Sequence, residues 1–376
     1  MTVFLKKKST GETVYELGLT RTRRAYDLFD HVAVSFSGGK DSTVCLHLAL
    51  AVAEERGRLP LDVFFFDEEA IHPETVEYMR EVGQREDVRL RWYCLPVRHR
   101  NACSRKSPYW HSWAPEDREK WCRELPAEAI TELAGFTRQP IPECNGLLFP
   151  KSLGSVGVIV GLRATESLRR YRVVARRVAD NFIAQDAHAK HIQLVKPIYD
   201  WLTEDVWTAP KLFGWNYNRT YDVFQKTGMT RHQQRVCPPY GEEPLGGLYK
   251  YAICWPDLWE KMLARVPGAH CAAKYARTPL YAFGDVPSWD PGDDPKKLIA
   301  RALAHWPETT RAKIAQRINV EIRNHYRKTR EPIPAEHPGE TGVTWKWLYM
   351  LAVRGDFKGR RTPVYTRDDA EATTRY

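Results

Sequence analysis

The stretch Val32-Ala-Val-Ser-Phe-Ser-Gly-Gly-Lys-Asp-Ser-Thr43 constrains this chain more than any other. Its apolar half predicts a short strand ending at Phe36, its glycines a turn, and its polar end a helix starting at Asp41. Two adjacent glycines let backbone approach a ligand closely, and the unpaired amides of a helix's first turn suit phosphate oxygens. Ser37, Ser42 and Thr43 add hydroxyls, so residues 37–43 read as a phosphate cradle. Ser35, Ser37, Gly38, Gly39, Lys40, Asp41 and Ser42 are its nucleotide-binding candidates. The spacing is not that of the ATPase P-loop, which needs wider glycines and Gly-Lys-Ser/Thr, because Asp41 follows Lys40 here. An ordinary β-to-α turn containing two glycines is the plain alternative.

Ser37-Gly-Gly-Lys-Asp-Ser42 resembles the pyrophosphate-binding loop of the ATP pyrophosphatase superfamily. That resemblance implies cleavage of ATP between its α and β phosphates, with an adenylylated acceptor and pyrophosphate as the usual products.

Around the cradle the pattern is that of alternating strands and helices. Residues 14–30 carry apolar positions at helical spacing, and the helix after the cradle is expected to stop at Gly57. Leu61-Asp-Val-Phe-Phe-Phe-Asp67 is apolar on both faces, as a covered parallel strand would be. It delivers Asp67-Glu68-Glu69 to the carboxyl edge of the sheet, where Asp67 or Glu69 is expected to hold ribose, adenine or a magnesium ion. The competing reading is a helix-capping acid ahead of Pro73 at the first helical position.

Val88 to Val97 reads as a third strand, followed by an aromatic and basic insertion over about residues 98–150. Its tryptophans and arginines either stack and neutralise a nucleotide or single strand, or simply pack. Val156-Gly-Val-Ile-Val-Gly-Leu162 is another buried strand and brings Gly161, Arg163 and Glu166 to the same edge. Arg163 is placed to fork onto a phosphate, Glu166 to complete a metal site or orient an acceptor, and Thr165 to cap a helix made basic by Arg169, Arg170, Arg172, Arg176 and Arg177.

His191 to Ile198 is a further strand, so residues 13–215 are expected to form an α/β, doubly wound, mostly parallel Rossmann-like sheet. Residues 216–365, with helical stretches at 256–266 and 294–327, read as a mainly helical lobe, and the end of the chain from 366 as a flexible tail.

A net charge of +10 over 376 residues favours polyanions or phosphorylated substrates, nucleic acid among them, with Lys6–Lys8, Arg21–Arg24, Arg98–Arg100 and Arg169–Arg177 as basic clusters. The eight cysteines form no Cys-x-x-Cys pair, and no apolar run has the length of a membrane span or a secretory segment. The expectation is a soluble, reducing, cytoplasmic protein with free thiols and no membrane contact. Cys237, Cys254 and Cys271 are evenly spaced, which leaves packed thiols and a metal or cluster site as alternatives, and an iron–sulfur cluster is not expected. Cys237 stands near Arg235 and is the best sulfur-carrying candidate. His188 and His191 lack a third ligand nearby and read as surface residues.

Several pieces together resemble the phosphoadenosine phosphosulfate reductase family: Ser37 to Ser42, Asp67, Gly161-Leu-Arg163-Ala-Thr-Glu166-Ser167, and Pro197-Ile-Tyr-Asp-Trp201 with Asp205-Val-Trp207. Phe66-Asp-Glu-Glu-Ala70, Pro108-Tyr-Trp-His-Ser-Trp113, Arg235-Val-Cys-Pro-Pro-Tyr-Gly241, Trp345-Lys-Trp and Arg354-Gly-Asp-Phe-Lys-Gly359 look like its IbrA-type branch. The resemblance implies an adenosine nucleotide such as ATP bound with magnesium on Asp41 and Glu166. Lys40, Arg163 and Cys237 would be the catalytic residues. It also implies bacterial and prophage settings and a ParB-like, IbrB-type partner. The sequence departs from the family's reductases. No cysteine follows Cys271, and Cys144 in Pro142-Glu-Cys-Asn-Gly146 differs from the C-terminal Glu-Cys-Gly-Leu-His motif in context and position. Adenylylation of an acceptor in sulfur transfer or nucleic-acid modification is therefore the leading expectation. A non-catalytic nucleotide-binding regulator and a reductase using an internal cysteine are the alternatives.

Overall fold

A computed structural model of the chain describes residues 11–104, 106–166, 168–174, 180–229, 234–237, 239–241, 244–275, 292, 294–359 and 362. Lys6–Lys8, Arg105, Ser167, Arg176, Arg177, Pro238 and the expected tail from 366 lie outside the described residues.

In chain order the elements are α1 (Val14–Leu28), β1 (His31–Ser35), α2 (Lys40–Glu55), β2 (Leu61–Phe66), α3 (Pro73–Gly83), β3 (Val88–Tyr93), β4 (Arg98–Arg100), β5 (Tyr109–His111), α4 (Asn145–Leu148) and β6 (Val156–Val160). Then come α5 (Leu168–Val174), β7 (Ile183–Gln185), β8 (Ile192–Val195), α6 (Thr203–Phe213), α7 (Thr220–Lys226), α8 (Tyr251–Cys254), α9 (Pro256–Arg265) and α10 (Ala269–Tyr275). The last three helices are α11 (Pro295–Ala304), α12 (Glu308–Lys328) and α13 (Trp345–Arg354). Local signals set several of these ends. Thr13 and Glu16 cap α1 reciprocally, Pro73 opens α3 at a position where its missing N–H costs nothing, and Gly57 turns left-handed at φ 60° just after α2.

The sheet runs β3-β2-β1-β6-β8-β7 and is parallel except for β7, which pairs antiparallel with β8 at one edge. The doubly wound, mostly parallel expectation therefore holds. Both faces are covered, as a parallel sheet requires. Val32, Val34, Phe36, Val63, Phe65, Ile159 and Val195 pack with Leu48, Val52 and Met79 of the helices, and with Trp201. Ala33, Phe64, Phe66, Val156, Val158 and Ile192 on the opposite face meet Leu95, Leu148 and Phe149. β1 lies between β2 and β6, so the winding direction reverses there, and the carboxyl ends of β1 and β6 open the crevice in which sheets of this kind bind ligands.

The chain divides into two compact units, and the division differs from the expected one at 216. Residues 12–162 and 182–274 form the sheet unit, and residues 218–265 contribute Asn218, Tyr221, Tyr251, Trp255 and Arg265 to bonds with residues of the loops and helices around the sheet. The second unit combines residues 163–181 with the chain from 275 onward. Its core joins Leu168, Ile299, Ile314, Ile318, Trp347, Leu348 and Leu351, and Arg172 of α5 pairs with Glu321 of α12 at 2.6 Å.

Candidate functional site

The turn after β1 is built on glycine. Gly38 has φ 69°, a left-handed conformation that strains any residue with a Cβ, and a Cβ there would stand 2.7 Å from the Met79 methyl. Gly39 is the N-cap of α2. The serines close the turn on itself: Ser42 Oγ donates to the Gly39 carbonyl at 2.9 Å, the Ser37 and Ser42 hydroxyls meet at 3.1 Å, and the Ser37 amide donates to Ser42 Oγ at 3.3 Å. Among the described residues the amides of Gly38 and Ser42 have no acceptor. Lys40 Nζ lies 3.3 Å from Asp41 Oδ2, and both side chains keep little exposure.

Gly161 owes its identity to the same corner. A Cβ on it would stand 2.7 Å from the Ser42 nitrogen and 2.8 Å from the Asp41 carbonyl carbon, so only glycine lets the end of β6 approach the first turn of α2. Ser35, the last residue of β1, pairs in register with Val160 of β6 and Phe64 of β2. The structure thus brings Ser35, Ser37, Gly38, Gly39, Lys40, Asp41, Ser42 and Gly161 together.

Sequence reasoning missed the brace supplied by α7 and the residues before it. Tyr221 Oη accepts from the Lys40 amide at 2.8 Å, and Asn218 Nδ2 donates to the Gly38 carbonyl at 3.0 Å and to Thr75 Oγ1 at 2.9 Å. Tyr221 is buried against the edge of Trp207, and that burial pushes its hydroxyl pKa well up, with the charges of Asp41 and Cys237 adding to the effect. One amide of the cradle is therefore occupied by a neutral tyrosine. Cys237 is half-buried, and the carbonyl of its neighbour Val236 lies 4.0 Å from where a Gly39 side chain would begin. No local signal joins residues 218–221 or 236–237 to the cradle, because they stand nearly 200 positions away in sequence.

The acidic run behaves differently from expectation. Asp67 is buried and paired with Arg123, and it accepts from Trp92 Nε1 at 2.8 Å and from the Glu69 amide at 2.9 Å. Glu69, fully buried at φ 66°, accepts from Arg265 Nε at 2.7 Å and Nη2 at 3.0 Å, and from the amides of Trp113 and Cys122 at 2.7 and 3.1 Å. These carboxylates are bonded within the protein and fasten the insertion and α9 to the end of β2. Glu68 between them faces His99 at 3.6 Å, and burial together with the charge of Asp67 pushes its carboxyl up to about 8. The insertion itself packs, with Trp110 and Trp113 buried, while Tyr109 stays exposed near the guanidinium groups of Arg98 and Arg100.

Arg163 and Glu166 belong to the second unit. The Arg163 amide donates to Glu166 Oε2 at 3.3 Å, and Glu166 also pairs with Arg170. Among the described residues no group of three or more His, Cys, Asp or Glu is arranged to hold a metal ion. None of the eight cysteines is in a disulfide; Cys45, Cys94, Cys103, Cys122 and Cys144 are buried, Cys237 and Cys254 are half-buried and Cys271 is exposed. His188 is exposed and His191 bonds the Phe149 carbonyl at 2.8 Å. No helix among the described residues is long and apolar enough to cross a membrane.

The sequence profile of the phosphoadenosine phosphosulfate reductase domain matches residues 31–227, more than half of the chain and all of the parallel strands. The chain belongs to the phosphoadenosine phosphosulfate reductase family. In this family member, residues 228–334 match a separate domain of unknown function. The chain is 28% identical over 369 residues to the uncharacterized protein YbdN of Escherichia coli K12, covering 92% of this chain and 88% of that one. It is 25% identical over 232 residues to the uncharacterized protein MJ0973 of Methanocaldococcus jannaschii and spans 47% of that protein. Among solved structures it is similar to the phosphoadenylyl-sulfate reductase of Candida auris, with a TM-score of 0.32 and 16% identity, covering 59% of this chain and 93% of that one. It is also similar to the FMN adenylyltransferase of Candida glabrata, with a TM-score of 0.34 and 16% identity. That match covers 58% of this chain and spans 62% of the enzyme, less than two thirds of its length.

Proposed function

We propose that this family member binds ATP or a related adenosine nucleotide at Ser37–Ser42 and transfers its adenylyl group to an acceptor with release of pyrophosphate. The observation that carries the reading is the corner itself: Gly38 and Ser42 offer free amides beside the Ser37 and Ser42 hydroxyls, at the point where the sheet reverses its winding. The acceptor attacks the α-phosphorus, the bond to the bridging oxygen breaks, and pyrophosphate leaves with the electron pair. Lys40 neutralises the charge that grows on the leaving group. Magnesium bound to nucleotides takes one or two carboxylates and keeps several waters, so Asp41 alone is a sufficient protein ligand, and the ion would shield the phosphate charges. The acceptor class, nucleic acid or a sulfur compound, is in keeping with the net charge of +10. A ParB-like partner and an IbrA-type setting belong to the same proposal.

Purified protein incubated with ATP, magnesium and candidate acceptors is expected to release pyrophosphate, and Lys40→Ala to lower the rate by about 100-fold or more, in the range of losing one oriented charge contact. Undiminished turnover by that variant rejects the assignment. A reductase reading draws on Cys237, whose backbone neighbour borders Gly39. Sulfite release from phosphoadenosine phosphosulfate with reduced thioredoxin supplying the two electrons, lost in Cys237→Ser, would favour it. A regulator that binds nucleotide without turning it over draws on Tyr221, which already holds one cradle amide. Nucleotide binding by calorimetry with no product by mass spectrometry would favour that outcome.

A further inference from the structure

Lys196 follows the last residue of β8 and is 2% exposed. An ammonium group carries three N–H donors, yet among the described residues this one has a single acceptor, the Leu194 carbonyl at 3.4 Å. Burial alone pushes its pKa down to about 8, with no carboxylate contributing. A buried ammonium with fewer acceptors than donors weakens a fold.

Its position names the ligand. Ile159 of β6 pairs with Val195 of β8, which sets Lys196 beside Val160, and Val160 pairs on its other side with Ser35 of β1. Strand alternation puts Ser35, Val160 and Lys196 in one row on the same face of the sheet, and neighbouring strands are about 4.8 Å apart. Ser35 is half-buried, and its hydroxyl makes no hydrogen bond among the described residues. Two polar side chains, an ammonium with a single acceptor and a hydroxyl with none among the described residues, therefore flank Val160 two residues before the cradle begins.

We propose that Lys196 and Ser35 form an oxyanion subsite, separate from the Ser37–Ser42 cradle, that receives a phosphate, sulfate or carboxylate group of the acceptor or of the nucleotide. The subsite deepens the nucleotide-transfer reading and rests on it only for the source of the anion. An ammonium and a hydroxyl supply charge and directed donors to tetrahedral or planar oxyanions alike.

The test uses the full chain with inorganic sulfate, inorganic phosphate and ATP as separate probes, read by thermal unfolding and calorimetry at pH 7. Sulfate or phosphate is expected to raise the melting temperature of the wild type. Lys196→Met is expected to melt higher than the wild type without ligand and to lose that anion response at least tenfold in affinity, while its ATP affinity stays within about threefold. Ser35→Ala is expected to weaken the anion response with its own melting temperature unchanged. If Lys196→Met melts lower than the wild type, or keeps the response to both anions, the subsite does not exist. If the wild type responds to sulfate or phosphate but not to ATP, the nucleotide reading fails and the subsite stands as a site for the free anion. An ATP affinity lost together with the anion response would place Lys196 in the cradle's own network and overturn a separate subsite.

Discussion

Glu68 shows how far a single side chain can depart from its sequence context. It stands between two buried carboxylates bonded within the protein, and burial with the charge of Asp67 raises its pKa from an ordinary 4.5 to about 8. Between those values the folded chain holds a proton that the unfolded chain has released, so this group's contribution to stability is present at low pH and is lost as pH rises toward 8. Glu68→Gln, which stays neutral, is expected to gain on the wild type by about 1 kcal/mol or more between pH 5 and pH 8.5, the worth of about one pKa unit. Denaturant unfolding at the two pH values measures it, and a difference between the proteins that does not change with pH refutes it. At this scale the sequence was legible wherever backbone conformation or close approach dictates the residue: Gly38 sits at a left-handed φ, and Gly161 lies where a Cβ would meet the backbone of Asp41 and Ser42. The acids after β2 were not legible. A carboxylate at a strand end reads the same whether a ligand or a distant arginine completes it, and Arg265 lies 196 positions from Glu69.

Among the elements, the strands of the sheet could be read from their uninterrupted apolar runs, and α2 from the polar turn that launches it. β7 could not be read, because three residues, Ile183–Gln185, are too few to carry a period. Nor could the role of α7, whose Tyr221 is bound to the cradle only by tertiary structure. That hydroxyl accepts from the Lys40 amide. Tyr221→Phe is expected to destabilise the unliganded protein by about 1 kcal/mol, the net worth of one hydrogen bond. Most of that loss should vanish at saturating nucleotide, when a phosphate oxygen takes the amide. Thermal unfolding of both proteins with and without ATP decides the matter, since an equal deficit in the two states would mean that the amide never meets the ligand.

For the whole molecule, the relevant fact is that each compact unit has its own hydrophobic core, one built on the sheet and one on α5 and α11–α13. Two cores license two unfolding steps rather than one. Calorimetry is expected to resolve two transitions, with ATP at 100 times its dissociation constant stabilising only the sheet unit, by about 2.7 kcal/mol. A single transition that moves as a whole would show that the two cores melt together. The change of pattern near residue 216 was legible as a loss of strand alternation. Its meaning was not, since α7 to α9 are helical in sequence and yet complete the sheet unit.

The clasp of Arg265 on Glu69 sets a limit on how this protein can be dissected. The family profile stops at residue 227, but a chain cut there would strand a carboxylate in the interior without its guanidinium. Recombining the nucleotide-binding half with the C-terminal half of a relative carries the same hazard unless the donor brings an arginine to the equivalent turn of α9. The smallest self-sufficient piece thus reaches past the family boundary into the segment of unknown function, and heredity is expected to pass the two on as a pair.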